Sequence, residues 1–391
     1  MSRIHAFLLP VLVCAAALTS LAVAADPSTA ASASQLGEPP EVSDLLPGAD
    51  SPPAAEVPAG DENPLAGIDF YVDKESKAWM VWEHHRRIGD QGTADLLWKI
   101  ASEPRNLWYG KFTKPASQFT AKVRRPIETA KAEGTLPLFT VLRAESTKCG
   151  PRYMGGGPRE DARTRAWYDK FAAAIGDDRV AIAFEPDSLG TVDCLARSRR
   201  PSRYRLLRYG LTVLSRLPNT TVYMEAGASD WMNPRETARR LRKVGIEVAR
   251  GFMLNATHYD WTGANIRYGA KVSRLVGGKP FIINTAQNGR GPVHYNRIPG
   301  KASRRINVWC NPGMRGLGLS PTTETHHPLV DAYLWVNRPG YAQSCAGYKI
   351  DWYLPRALPL VRFATTWTKA PPGTRLGHYK RYPLSAFNIR R

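Results

Sequence analysis

The sequence predicts an α/β fold: a distorted (β/α) barrel of about seven parallel strands with outer helices, in a single domain. Three observations lead there. Short apolar runs alternate with longer helical patterns across more than 300 residues, the pattern of a parallel sheet with helices outside it. About seven such runs suit a barrel better than a small open sheet. The run Val180–Phe184 ends abruptly in Glu185, Pro186 and Asp187. A carboxylate just past the C-terminal end of a buried parallel strand is where barrel enzymes keep their chemistry.

Taken in order, the expected strands are Gly67–Val72, Leu136–Leu142, Val180–Glu185, Thr221–Ala226, Gly251–Leu254, Pro280–Thr285 and Ala332–Val336. Each is a short apolar run bounded by turn formers. The expected helices are Ser76–Ser102, Gln118–Glu133, Pro158–Ile175, Pro201–Arg216, Pro234–Val244, Trp261–Val276 and Ile350–Phe363. Several open on proline, whose missing N–H costs nothing in the first turn. Others stop near Gly176 or Gly245, as helices ending in a left-handed residue do.

The ends read differently. Arg3, the apolar stretch Phe7–Leu21 and Ala22-Val23-Ala24 form the three parts of a secretory signal, expected over 1–25. The apolar run is too short for a stable membrane span, so a secreted product without membrane association is expected after cleavage. Residues 26–62 are rich in Ala, Pro, Ser and Gly, with eight acids and no Lys or Arg, and read as a disordered acidic linker. The folded domain is expected over 63–365, and a Pro-rich basic tail over 366–391.

From residue 64 on, 53 Lys and Arg stand against 26 acids, a formal charge of +27. No helix-turn-helix, zinc-finger or RNP-like pattern accompanies it, so nucleic acid is not the expected partner. A basic secreted surface is suited to electrostatic association with anionic cell-wall polymers. Past the signal remain Cys149, Cys194, Cys310 and Cys345. An even number in an oxidising compartment implies disulfides, with three pairings possible.

Beyond Glu185-Pro-Asp-Ser-Leu189, further motifs fall in a fixed order: Asn63-Pro-Leu-Ala-Gly67, Thr221-Val-Tyr-Met-Glu-Ala-Gly227, Gly251-Phe-Met-Leu-Asn255, Asn265-Ile-Arg-Tyr-Gly269, Lys279-Pro-Phe-Ile-Ile-Asn-Thr285, Asn288-Gly289, Trp309-Cys-Asn-Pro312, Pro321-Thr-Thr323 and Asp331-Ala-Tyr-Leu-Trp335. In this order they resemble glycoside hydrolase family 6, the inverting cellulases, over roughly Asn63 to Phe363. The resemblance implies a secreted, monomeric glucanase that hydrolyses O-glycosidic bonds of a β-1,4-glucan or related polysaccharide. It implies Asp187 as general acid, with Trp108, Trp231 and Trp309 holding glucosyl units. It also implies the disulfide pairings Cys149–Cys194 and Cys310–Cys345. No metal or organic cofactor is implied. His258, His326 and His327 have no metal-ligand spacing.

Several positions depart from the family pattern. The loop usually written Y-x-x-P-x-R-D-C reads Leu142 to Cys149, with Lys148 in place of the Asp that supports the acid. In P-G-E-x-D-G-x-C, Tyr341 replaces a substrate-binding Glu and Gln343 the proposed base Asp. Asn337 replaces a substrate-binding Lys, Ala228 the His of D-A-G-H, and His258 the second Asn of N-V-x-N-Y. Gln takes no proton at neutral pH. Glu145, Glu225 and Glu324 are the candidate replacement carboxylates. The alternative expectation is a non-catalytic carbohydrate-binding protein on the same scaffold.

Overall fold

The computed structural model describes residues 62–110, 117–144, 158–292, 294–295, 306–307, 311–343 and 350–366. The expected signal, nearly all of the acidic linker, the basic tail past residue 366, Glu145, Lys148, Trp309, Cys149, Cys310 and Cys345 lie outside them. Every described residue belongs to one compact unit, Pro47–Arg391.

The strands are β1 (Leu107–Tyr109), β2 (Leu138–Val141), β3 (Val180–Phe184), β4 (Thr220–Glu225), β5 (Gly251–Leu254), β6 (Phe281–Asn284), the short β7 (His294–Tyr295) and β8 (Ile306–Asn307), and β9 (Val330–Leu334). The helices are α1 (Lys77–Arg87), α2 (Gln91–Ala101), α3 (Ser117–Glu133), α4 (Pro158–Ile175), α5 (Arg200–Ser215), α6 (Pro234–Lys243), α7 (Thr262–Leu275) and α8 (Leu354–Arg362). Seven strands form one sheet in the order β1-β2-β3-β4-β5-β6-β9, every neighbour parallel. The sheet curls into a half-barrel. Among the described residues no ladder joins its edges, β1 and β9. Single bonds cross that seam: Asn106 N–H to Trp335 O at 3.0 Å and Trp108 Nε1–H to Val336 O at 2.8 Å.

Strand alternation sorts the core into two layers, since successive side chains point to opposite faces. Ala181, Ala183, Tyr223, Met253, Ile282, Ala332 and Leu334 fill the interior. Val180, Ile182, Phe184, Val222, Met224, Phe252, Leu254 and Ile283 meet the outer helices. Both faces are covered, so β3 is apolar throughout rather than alternating. On β3 the interior positions are the small Ala181 and Ala183, while Ile182 and Phe184 face the helices. Gly210 lets α5 approach: a Cβ there would lie 2.6 Å from the Tyr168 ring and 2.8 Å from Phe184.

The register of β9 shifts against β6: Phe281 faces Val330, but Ile282 faces Ala332. The extra residue of this bulge is Asp331. Its carboxylate accepts from Tyr223 Oη–H at 2.6 Å and from Arg250 Nε and Nη2 at 3.0 and 3.1 Å.

Two expectations need correction. The single helix Ser76–Ser102 is two, because Gly89 takes φ 82° and Asp90 then caps α2 through Thr93 N–H at 3.2 Å. Gly67–Val72 gives only a bridge, Phe70 with Leu136, and the edge strand is β1. Three residues are too few to show a period.

Candidate active site

Asp187 stands where β3 delivers it. The ladder continues one residue past the strand, with Glu185 N–H bonded to Val141 O at 2.7 Å. The chain then turns sharply, with Glu185 at φ 56° and Asp187 at φ 67°. Left-handed backbone is uncommon outside glycine and rarer for Glu than for Asp, so the turn needs outside support. Glu185 supplies it by facing away from Asp187. Its carboxylate accepts from Tyr168 Oη–H at 2.7 Å and from Arg143 and Ala144 N–H, both at 2.9 Å. Burial pushes its pKa up to about 7 against those bonds. Downstream, Thr191 N–H and Oγ1–H bond Asp187 O at 2.9 and 2.7 Å.

The Asp187 side chain is half-buried and accepts from Thr257 Oγ1–H at 2.5 Å. Burial raises its pKa, against the Thr257 bond and the charge of His258. Glu225, the last residue of β4, is 1 % exposed. Its two oxygens accept from Leu189 N–H at 2.7 Å and Gly227 N–H at 2.6 Å. Burial first, and then the charge of Asp187, push it up to about 8. Two carboxyls in one field do not ionise together readily, so the pair retains a proton across neutral pH.

A third acid joins through histidine. His258 Nδ1 bonds Asp230 Oδ1 at 2.8 Å. Burial opposes the charged imidazolium, but Asp230, with Asp187 and Glu225, carries its pKa above the ordinary value. The His258 ring stacks on Trp231 with centroids 4.9 Å apart and planes 16° off parallel. Backbone also lies close to Trp231: a Cβ on Gly190 would meet its six-membered ring at 2.3–2.6 Å. Trp231 thus packs between the loop after Asp187 and the loop carrying His258.

Trp108 lies across the sheet. It pairs in register with Thr140, on the interior face, and the Arg338 guanidinium carbon stands 5.3 Å from its ring centroid. Gln343 is tied to Asn311, donating its N–H at 2.7 Å and accepting at 3.1 Å, while its Nε2 donates to Thr257 O at 3.3 Å. Gln343 therefore braces the segment that holds Asp187.

The structure thus brings Asp187, Glu225, Trp231, His258 and Gln343 to the C-terminal ends of β3–β5, with Trp108 at the seam. It does not bring Glu324 there. That side chain is exposed, on the segment leading to the N-terminal end of β9, where the neighbouring His327 ring lies 6.5 Å from Phe281. Sequence reasoning missed Thr257 and Asp230. Both sit inside or beside quoted motifs, but hydroxyl and carboxylate partners across loops leave no periodic signal.

Known proteins bear on this arrangement. The family profile "Glycosyl hydrolases family 6" matches residues 65–353. Endoglucanase A of Cellulomonas fimi is 33 % identical over 300 residues, covering 75 % of this chain and 61 % of that protein. Endoglucanase 1 of Streptomyces sp. (strain KSM-9) is 31 % identical over 263 residues, covering 66 % and 69 %. The chain thus spans about three fifths of the length of the Cellulomonas relative. Among solved structures, the endoglucanase Cel6 from Mycobacterium tuberculosis, in complex with methyl-cellobiosyl-4-deoxy-4-thio-β-D-cellobioside, superposes with TM-score 0.68 at 34 % identity, over 77 % of this chain and 99 % of that one. The endoglucanase CEL6B from Humicola insolens, at 19 % identity and TM-score 0.64 over 78 % and 99 %, shares the fold. With seven parallel strands, a carboxyl delivered by the third and a family match from Leu65 to Tyr353, the chain belongs to glycosyl hydrolases family 6.

Proposed function

We propose that this chain hydrolyses O-glycosidic bonds of a β-1,4-glucan or related polysaccharide by single displacement with inversion, Asp187 donating the proton. The observation that carries the reading is a carboxyl at the end of a parallel strand whose burial favours its protonated form. Glu225 acts beside it as the second carboxyl of the pair, standing in for the supporting Asp that Lys148 replaces. Trp108, Trp231 and Trp309 provide aromatic faces for glucosyl units. Gln343 cannot accept a proton, so the proton of the attacking water leaves through a chain of waters.

The same reading includes export directed by residues 1–25, an acidic linker over 26–62, a catalytic domain over 63–365, a basic tail, and action as a monomer. Cys194 is disulfide-bonded, which supports the pairing Cys149–Cys194, with Cys310–Cys345 as the second bridge. The basic surface holds the protein near anionic cell-wall polymers.

The test is reducing-end release from soluble β-glucans, cello-oligosaccharides and cell-wall polysaccharides, with Asp187→Asn as the paired control. Turnover that disappears in a folded Asp187→Asn variant is the expected result. Unchanged turnover in that variant overturns the role of Asp187. Gln343 favours a second reading, a non-catalytic carbohydrate-binding protein. It takes over if a folded wild-type chain binds these saccharides and releases no reducing ends.

A further inference from the structure

The guanidinium of Arg338 has no ion pair or side-chain hydrogen bond among the described residues, and its Nε–H is buried without an acceptor. It follows β9 at the seam, on the same end of the sheet as Asp187. Its neighbours are the Tyr341 ring, 4.0 Å from the guanidinium carbon, and the Trp108 ring at 5.3 Å. Aromatic faces attract a cation but offer no hydrogen-bond acceptor. A second cation, Arg105, acts on it through its charge, and the partner of Arg105, Asp73, lies 3.2 Å from that guanidinium. Burial and Arg105 lower the Arg338 pKa to about 10, so it remains charged at neutral pH.

A half-buried charge whose Nε–H lacks an acceptor gains from a partner that supplies one. An Arg fork matches a carboxylate with two parallel N–H···O bonds. The seam also carries two departures from the family pattern, Asn337 in place of a Lys and Tyr341 in place of a Glu, so the charged side chain between them is Arg338.

We propose that the β1–β9 seam, with Arg338 between Trp108 and Tyr341, binds a carboxylate carried on a sugar ring of the substrate, a uronic-acid or C6-oxidised unit within a β-1,4-linked chain. This rests on the reading of the chain as a polysaccharide-active protein and specifies its substrate class. The sugar stands against the aromatic rings and its carboxylate meets the guanidinium.

The test measures equilibrium binding to the full-length Asp187→Asn variant, so that binding is separated from turnover. The ligands are cellotetraose and the same tetraose carrying C6-oxidised, glucuronosyl units. The oxidised ligand is expected to bind about tenfold more tightly, the size of one charge-assisted bidentate contact. Adding Arg338→Gln brings the ratio of the two affinities to about one, and Arg338→Lys retains part of it. A ratio of one or less in the parent overturns the proposal, as does a ratio that survives Arg338→Gln, which would assign the preference to the basic surface at large. Should Arg338→Gln not fold, the parent decides: the ratio must shrink between about 20 and 500 mM salt, and a constant ratio overturns the proposal. Turnover of neutral glucans by the wild type alongside a ratio of one removes this inference and leaves the hydrolase reading intact. Binding of neither ligand, together with no reducing-end release by the wild type, removes both.

Discussion

Replacing Glu225 by Gln should flatten the pH dependence of stability. In the folded chain burial and Asp187 hold the Glu225 proton up to about pH 8, against an ordinary glutamate value of 4.5. Between those values the folded state binds more protons than the unfolded one, so stability falls as pH rises. At 1.36 kcal/mol per pH unit the Glu225–Asp187 pair accounts for a loss of the order of several kcal/mol between pH 4.5 and above 8. Glu185, raised to about 7, adds a loss of the same sign and is common to both proteins. The assay is urea unfolding of wild type and Glu225→Gln at pH steps from about 4 to 9. Gln cannot ionise, and it misplaces a donor against Leu189 or Gly227 N–H, so the variant is less stable at low pH. The gap should narrow or reverse as pH rises. Parallel stability curves for the two proteins would refute the buried-proton argument.

Further outcomes follow from the same geometry. Thr257→Val removes the hydroxyl that favours ionised Asp187, so the alkaline limb of the activity profile should move to higher pH; an unmoved or lowered limb in steady-state kinetics counts against the contact. Gln343→Asp places a carboxylate at the base position and should raise kcat on neutral glucans by about 10²-fold; no gain in a folded variant would show that the base position is not limiting. Gly210→Ala forces a methyl against Tyr168 and Phe184 and should cost about 1–3 kcal/mol, read as a lowered denaturation midpoint. Tyr223→Phe leaves Asp331 short of one donor and should cost about 1–3 kcal/mol by the same measurement.

Much of the scaffold was legible because its signals are local and repeated. Gly251–Leu254 and Pro158–Ile175 could be bounded, and Val180–Phe184 to within one residue, from apolar runs, proline and terminal glycine alone. β1 was not, since an edge strand of three residues has no period and is defined by pairing with β2. The split between α1 and α2 turned on one φ angle at Gly89 inside an otherwise continuous helical pattern. At the site, Asp187 could be found because a strand end and a motif coincide there. Its partners were less legible: Glu225 was one of three candidate carboxylates, and Thr257 was not singled out. Thr257 lies 70 residues away in sequence and Glu225 belongs to the next strand, so only the fold makes them neighbours. Glu225 and Glu324 looked equivalent as sequence, and the half-barrel sends them to opposite ends.

The seam between β1 and β9 has an evolutionary implication. Inside a ladder, each residue is committed twice, once by its side chain and once by the amides that fix its register. Asn337, Arg338 and Tyr341 follow β9 at an edge that two single hydrogen bonds span rather than a ladder. Exchanging charges there leaves the seven-stranded parallel ladder and the acid turn on β3 untouched. Such a border is where a lineage can acquire a taste for a new sugar while keeping an inherited reaction centre.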